Sequence, residues 1–301
     1  MPKQIRWCLV LLAACLAYSS QAKAHTDTAP SETPFSFRRG LVIVEAKIKG
    51  NVPVKVVLAT GTENSITDLS YLEKYKLSAY YTADGPVTGR NDKTYSFSPV
   101  SSVSVGSSKS RNLNMRFGTM SEVSNLLGEE IFATLGADFF EGQIVQFDFK
   151  KSVVRFFEKL PDEFNSKNAT GSSSRLLVRM APKAEDPFRK TYQLPIVKDA
   201  QLNGQKGSLI LDTGTATTLA LSAAAAKKLG FTLPSDSQQS REEKIALRFE
   251  SSEPIEVQGA IYAKGTSADQ SLSKYGVVAG SNFLQNFVAL FDFRKGLVVL
   301  E

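Results

Sequence analysis

One carboxylate in this sequence sits where a chain can put it to chemical use. The apolar run Leu209-Ile210-Leu211 ends in Asp212-Thr213-Gly214-Thr215. Read as a strand entering a tight loop, this delivers Asp212 at a turn. Gly214 lets the backbone bend sharply there, and the hydroxyls of Thr213 and Thr215 hydrogen-bond the loop in place. A carboxylate held in this way serves as a general base or acid. Asp-Thr-Gly alone is a weak signal, because an ordinary surface turn also contains it. Three neighbours strengthen it: the apolar strand before, a helical stretch after (Ser222–Leu229, with Gly230 as its stop), and the apolar segment Val277-Val278-Ala279-Gly280 downstream.

The elements that position Asp212 occur twice. Lys49–Thr62 aligns without gaps on Leu202–Thr215, so that Leu58-Ala59-Thr60-Gly61-Thr62 stands against Leu211-Asp212-Thr213-Gly214-Thr215. A helical signal follows each, at Leu69–Tyr75 and Ser222–Leu229. A second pair comes later: Leu135-Gly136-Ala137-Asp138-Phe139 leads to Phe147-Asp148-Phe149, and Ala279-Gly280-Ser281-Asn282-Phe283 leads to Phe291-Asp292-Phe293 at the same spacing. Two matches in fixed order indicate an internal duplication. Around them, short β-branched runs such as Leu41–Val44, Val54–Leu58, Val100–Val105, Ile144–Phe149 and Val153–Phe157 alternate with turn signals, which predicts a mainly β fold.

From about residue 36 to 301 the chain resembles the aspartic peptidases, in particular the retropepsin-like proteins of bacteria. Leu211-Asp212-Thr213-Gly214-Thr215 matches their motif fully, and Thr134-Leu135-Gly136 and Val277–Gly280 look like the apolar segments that pack beside the catalytic loops. The resemblance implies two tandem acid-protease-type β-barrel lobes facing across a cleft, as in a pepsin-like bilobed monomer, with few short helices. It makes Asp212 the catalytic residue and Thr213, Gly214, Thr215, Thr60, Gly61 and Thr62 the residues that support the loops, each Thr after an Asp position bonding across the lobes. No cofactor and no metal is implied.

The departure is Ala59, which occupies the position of the other Asp. Two neighbouring carboxylates cannot both ionise comfortably; the pair shares a proton, so one partner activates water while the other protonates the substrate carbonyl. Ala59 has no titratable group, and one group's acid–base help is worth about 10²–10⁴-fold. The first expectation is therefore an exported pseudopeptidase that binds extended peptides or a protein segment between the lobes, by strand addition and side-chain pockets. One alternative is an active endopeptidase that completes its Asp pair by homodimerisation or with another carboxylate. Another is a structural envelope protein. A monomer is favoured over an oligomer.

Further residues carry less. Tyr80–Tyr95 reads equally as a hairpin covering the cleft or as a surface hairpin. Asp148 and Asp292 each sit between two Phe and read as outward-facing structural residues. The only His is His25 and the only Cys are Cys8 and Cys15, which argues against Ser-His-Asp, Cys-nucleophile and thiolate-metal chemistry. Lys3 and Arg6, the apolar run Trp7–Tyr18 and Ala22-Lys23-Ala24 form the pattern of a secretory signal peptide over 1–24, too short to span a membrane. A periplasmic or extracellular location follows, with lipidation at Cys15 as the lesser alternative. Loss of Lys3, Arg6 and Lys23 would remove three positive charges and take the formal +6 to +3. No basic run suggests nucleic acid. The expected organisation is a leader at 25–35, a first lobe at 36–160, an Asn/Ser/Gly/Lys-rich linker at 161–190 and a second lobe at 191–301.

Overall fold

The computed structural model describes residues 31–81, 96–164, 175–183, 190–235, 237–250 and 252–301. The expected signal peptide, residues 25–30 of the expected leader, residues 82–95 of the Tyr80–Tyr95 region and residues 165–174 and 184–189 of the expected linker lie outside these.

The described residues of the first half form β1 (Glu32–Arg38), β2 (Leu41–Ile48), β3 (Val52–Leu58), β4 (Ile66–Asp68), β5 (Tyr80–Tyr81), β6 (Ser96–Val105), β7 (Ser108–Gly118), β8 (Ala133–Leu135), β9 (Ile144–Asp148) and β10 (Val153–Phe157). The second half contains β11 (Leu176–Arg179), β12 (Ile196–Leu202), β13 (Gln205–Asp212), β14 (Leu219–Leu221), β15 (Ser240–Phe249), β16 (Ile255–Tyr262), β17 (Val277–Gly280), β18 (Val288–Asp292) and β19 (Leu297–Leu300). Short helices lie between them: α1 (Tyr71–Lys74), α2 (Ser121–Leu127), α3 (Ala137–Phe140), α4 (Ala223–Lys228), α5 (Ser267–Leu272) and α6 (Ser281–Leu284).

The duplication read from the sequence is a duplication of topology. In the second half, β12-β13-β17-β14-β16-β15 close into a six-stranded barrel. In the first, β2-β3-β8-β4-β7-β6 follow the same order and close through β6 and β2 at Lys47↔Ser104 and Ile48↔Val103. Strand sense agrees pair by pair: β3 runs parallel to β8 as β13 does to β17, and β4 parallel to β7 as β14 does to β16. Closure leaves no free sheet edge in either barrel. Among the described residues only β5, which pairs with the start of β6, lacks a counterpart.

A six-stranded antiparallel sheet joins the barrels in the order β11-β19-β18-β9-β10-β1. At its centre Gln146 faces Leu290, with Asp148 opposite Val288 and Ile144 opposite Asp292. Since Ile144 corresponds to Val288 and Asp148 to Asp292, this register is its own mirror, and a local twofold passes through the Gln146–Leu290 pair. The Phe-Asp-Phe repeats fill the seam: Phe147 meets the edge of Phe291 at 5.9 Å, and Phe140 stacks on Phe293 at 5.4 Å.

Local chemistry accounts for the details. In β13 the side chains alternate: Leu209 and Leu211 enter the main core, whereas Ile210 turns to the other face with Val278, Ala220 and Leu272. Asp212, two residues beyond Ile210, falls on that second face. Helix α4 begins at Ser222, whose hydroxyl accepts the Ala225 N–H at 3.2 Å, and ends with Lys227 and Lys228 beside the negative pole of the helix.

Two expectations need correction. Asp148 and Asp292 are structural but not outward-facing: both are buried. Their oxygens accept turn amides, Lys151 N for Asp148 and Arg294 N and Lys295 N for Asp292, so each closes a hairpin from inside. The 161–190 segment is not a plain connector either, because the apolar run Leu176-Leu177-Val178 forms β11, the second half's counterpart of β1.

Candidate functional site

The two loops that end β3 and β13 meet on the local twofold. Thr60 and Thr213 exchange four hydrogen bonds. The Thr60 amide donates to Thr213 Oγ1 at 3.2 Å and the Thr213 amide to Thr60 Oγ1 at 3.1 Å; the Thr60 hydroxyl donates to the Leu211 carbonyl at 2.9 Å and the Thr213 hydroxyl to the Leu58 carbonyl at 2.8 Å. Both threonines are fully buried. A methyl-bearing hydroxyl fits this reciprocal lock because it donates and accepts at once.

The glycines serve a different purpose from the one the sequence suggested. Neither Gly61 nor Gly214 has a positive φ. What demands glycine is the approach of the other lobe. A Cβ on Gly61 would lie 2.6 Å from Asp212 Cβ, and one on Gly214 would lie 3.0 Å from Ala59 Cα and closer still to its methyl. Gly136 and Gly280 repeat the pattern one layer out: Cβ atoms there would strike the carbonyls of Thr62 and Thr215. The residues after them bond those carbonyls instead, Ala137 N to Thr62 O at 2.7 Å and Ser281 N to Thr215 O at 2.9 Å. The apolar segments ending in Gly136 and Gly280 therefore do pack beside the loops.

Asp212 is 7% exposed. Its Oδ1 accepts the Gly214 amide at 2.9 Å and, across the lobes, the Gly61 amide at 2.9 Å; its Oδ2 accepts the Thr215 hydroxyl at 2.6 Å. Facing it across the twofold is the buried methyl of Ala59. Thr62, the counterpart of Thr215, has no carboxylate within its loop, and its hydroxyl makes no hydrogen bond among the described residues. Every sequence-assigned residue of the site is thus at one place, with a single carboxylate between two symmetric sets of donors. The arrangement accepts hydrogen bonds or positive charge at one point and offers no second carboxyl group within the pair of loops.

Several participants left no sequence signal. Lys274, just before β17, reaches across the lobes to Glu63 at 2.6 Å. Burial works against its charge, but the bonds to Glu63 and Tyr275 outweigh this, and its pKa lies above the ordinary lysine value. Beside it, the Tyr275 phenol is pushed up, first by burial, with the Lys274 charge opposing and the charges of Glu63 and Asp212 adding. Behind the first loop, the buried Asp138 accepts the Ser65 amide and hydroxyl and the Phe139 amide at 2.6–2.9 Å. Burial still lifts its carboxyl above the ordinary range despite those bonds. Only fixed spacing to Gly136 hinted at Asp138; Glu63 and Lys274 come together through the fold alone.

Among the described residues no group of three or more acidic, His or Cys side chains is arranged to hold a metal ion, and no helix is long and apolar enough to cross a membrane. Compared with known proteins, the chain matches no family model and no curated protein.

Proposed function

We propose that this protein is an exported aspartic-peptidase homologue that has lost catalysis and holds extended peptide segments in the cleft between its lobes. The observation that carries this reading is Ala59: it stands on the local twofold opposite Asp212, inside a loop whose remaining parts are intact. Peptide hydrolysis by a paired-carboxylate mechanism needs a base and an acid at the same carbonyl. Here one of the two is a methyl group. The preserved lock between Thr60 and Thr213 supports a retained binding architecture, since a chain under no demand to keep two lobes in register has no need of four buried reciprocal hydrogen bonds.

The same lock counts against the homodimeric enzyme. For Asp212 to meet the Asp212 of a second copy, the Thr60–Thr213 bonds and the β9–β18 seam would have to open together. The test is direct binding of fluorescent extended peptides to the mature protein, with mass spectrometry of the same samples. The reading expects saturable binding and intact peptides; appearance of cleavage products that vanish in Asp212→Asn would overturn it.

A further inference from the structure

Resting on the peptide-cleft reading, we infer that the ligand presents an ammonium group, either a free peptide N-terminus or a lysine side chain, to the carboxylate of Asp212. Asp212 is a buried acid whose hydrogen-bond partners, Gly61 N, Gly214 N and the Thr215 hydroxyl, are all neutral. Among the described residues none of the ion pairs includes it, and its side chain accepts hydrogen bonds from these three groups alone. The nearby cation, Lys274, is already taken by Glu63 at 2.6 Å.

In a two-carboxylate site the second acid and the shared proton occupy the face that Ala59 leaves apolar. Replacing that acid by Ala59 takes away the proton it would share with Asp212, so this side of the carboxylate loses a hydrogen-bond donor, and no ion pair among the described residues takes its place. A buried unpaired charge is costly, and a charge-assisted hydrogen bond from a ligand cation offsets that cost. The chain as a whole would repel such a ligand, with a formal charge of +6, or +3 without residues 1–24. Preference for a cation must therefore originate locally, at Asp212, rather than from the general field of the protein.

The test compares one short neutral peptide in four forms: with a free N-terminus, with that terminus acetylated, acetylated with a central lysine, and acetylated with norleucine in place of the lysine. Affinities are measured by calorimetry on the mature protein and on Asp212→Asn, whose amide is close in shape to the acid and whose thermal midpoint is checked alongside. The expected result is that at least one ammonium-bearing form binds about tenfold or more tighter than its neutral twin, that added salt narrows the gap, and that Asp212→Asn abolishes the difference between the twins. Whether the free terminus or the lysine carries the advantage identifies the source. Equal binding of all four forms, or an advantage that survives Asp212→Asn, overturns the inference and leaves the peptide-cleft reading standing. Binding of none overturns both.

Discussion

At the scale of single residues, the site is an interlock in which each lobe's loop fills the space the other leaves. Gly61 backs onto Asp212 and Gly214 onto Ala59, so a methyl group at either glycine has nowhere to go. Gly214→Ala is expected to lower stability by about 1–3 kcal/mol, the usual cost of overpacking, in a urea titration. Thr60→Ala and Thr213→Ala are each expected to cost about 1–3 kcal/mol by stranding buried partners. Because the two threonines share one network, the double variant should lose less than the two single losses combined; strict additivity would contradict the lock. Asp138 gives a pH test. Its unfolded carboxyl titrates near 3.8 and its folded one higher. Folding therefore favours the protonated form: this contribution is full below the unfolded value and is lost as pH rises through the folded value. Relative to Asp138→Asn, which cannot titrate, the unmodified protein should gain stability in thermal unfolding as pH falls through the raised folded value toward 3.8. A gap that stays constant or moves the other way would show that burial does not dominate at Asp138.

At the scale of elements, strands were legible wherever β-branched runs alternate with turns, and β2, β3, β9, β10 and β13 follow those runs closely. Asp212 was legible because an apolar run leads straight into Asp-Thr-Gly-Thr and the same elements recur in the first half; its place beside Ile210, on the face away from the Leu209–Leu211 core, came from the fold. Three features escaped for physical reasons. The burial of Asp148 and Asp292 depends on β9 pairing with β18, a contact across the two halves that no local pattern encodes. Strand β11 was hidden by the polar residues that precede it, although its own Leu-Leu-Val run is strand-like. The need for glycine at Gly61 and Gly214 comes from close approach of the opposite lobe rather than from the turn's own dihedral angles. The seam between β9 and β18 is also testable: Phe291 is fully buried against Phe147 and Phe293, and Phe291→Ala is expected to cost about 3–5 kcal/mol in denaturant unfolding. A loss well under 1 kcal/mol would mean that the aromatic seam does not hold the halves together.

At the scale of the whole molecule, two closed barrels hang from one shared sheet, and each half contributes three consecutive strands to it. Chain cleavage between Phe164 and Arg175 leaves β9, β10 and β1 with the first barrel and β18, β19 and β11 with the second. Each half alone would expose an unpaired edge, β9 or β18, so the cut halves should remain a 1:1 complex in size-exclusion chromatography; separation into free halves would contradict the role given to the sheet. The same twofold that relates the barrels sets up the decisive comparison. An Asp at position 59 would have the surroundings that Asp212 has: an opposing glycine amide from Gly214, its own loop amide from Gly61 and the hydroxyl of Thr62, which makes no hydrogen bond among the described residues. The most direct test is hydrolysis of a mixed peptide library across roughly pH 3 to 7 by the unmodified protein, by Ala59→Asp and by Asp212→Asn. The account predicts cleavage by Ala59→Asp alone. Cleavage by the unmodified protein that is lost in Asp212→Asn would contradict it, and would mean that a second acid reaches the site from elsewhere.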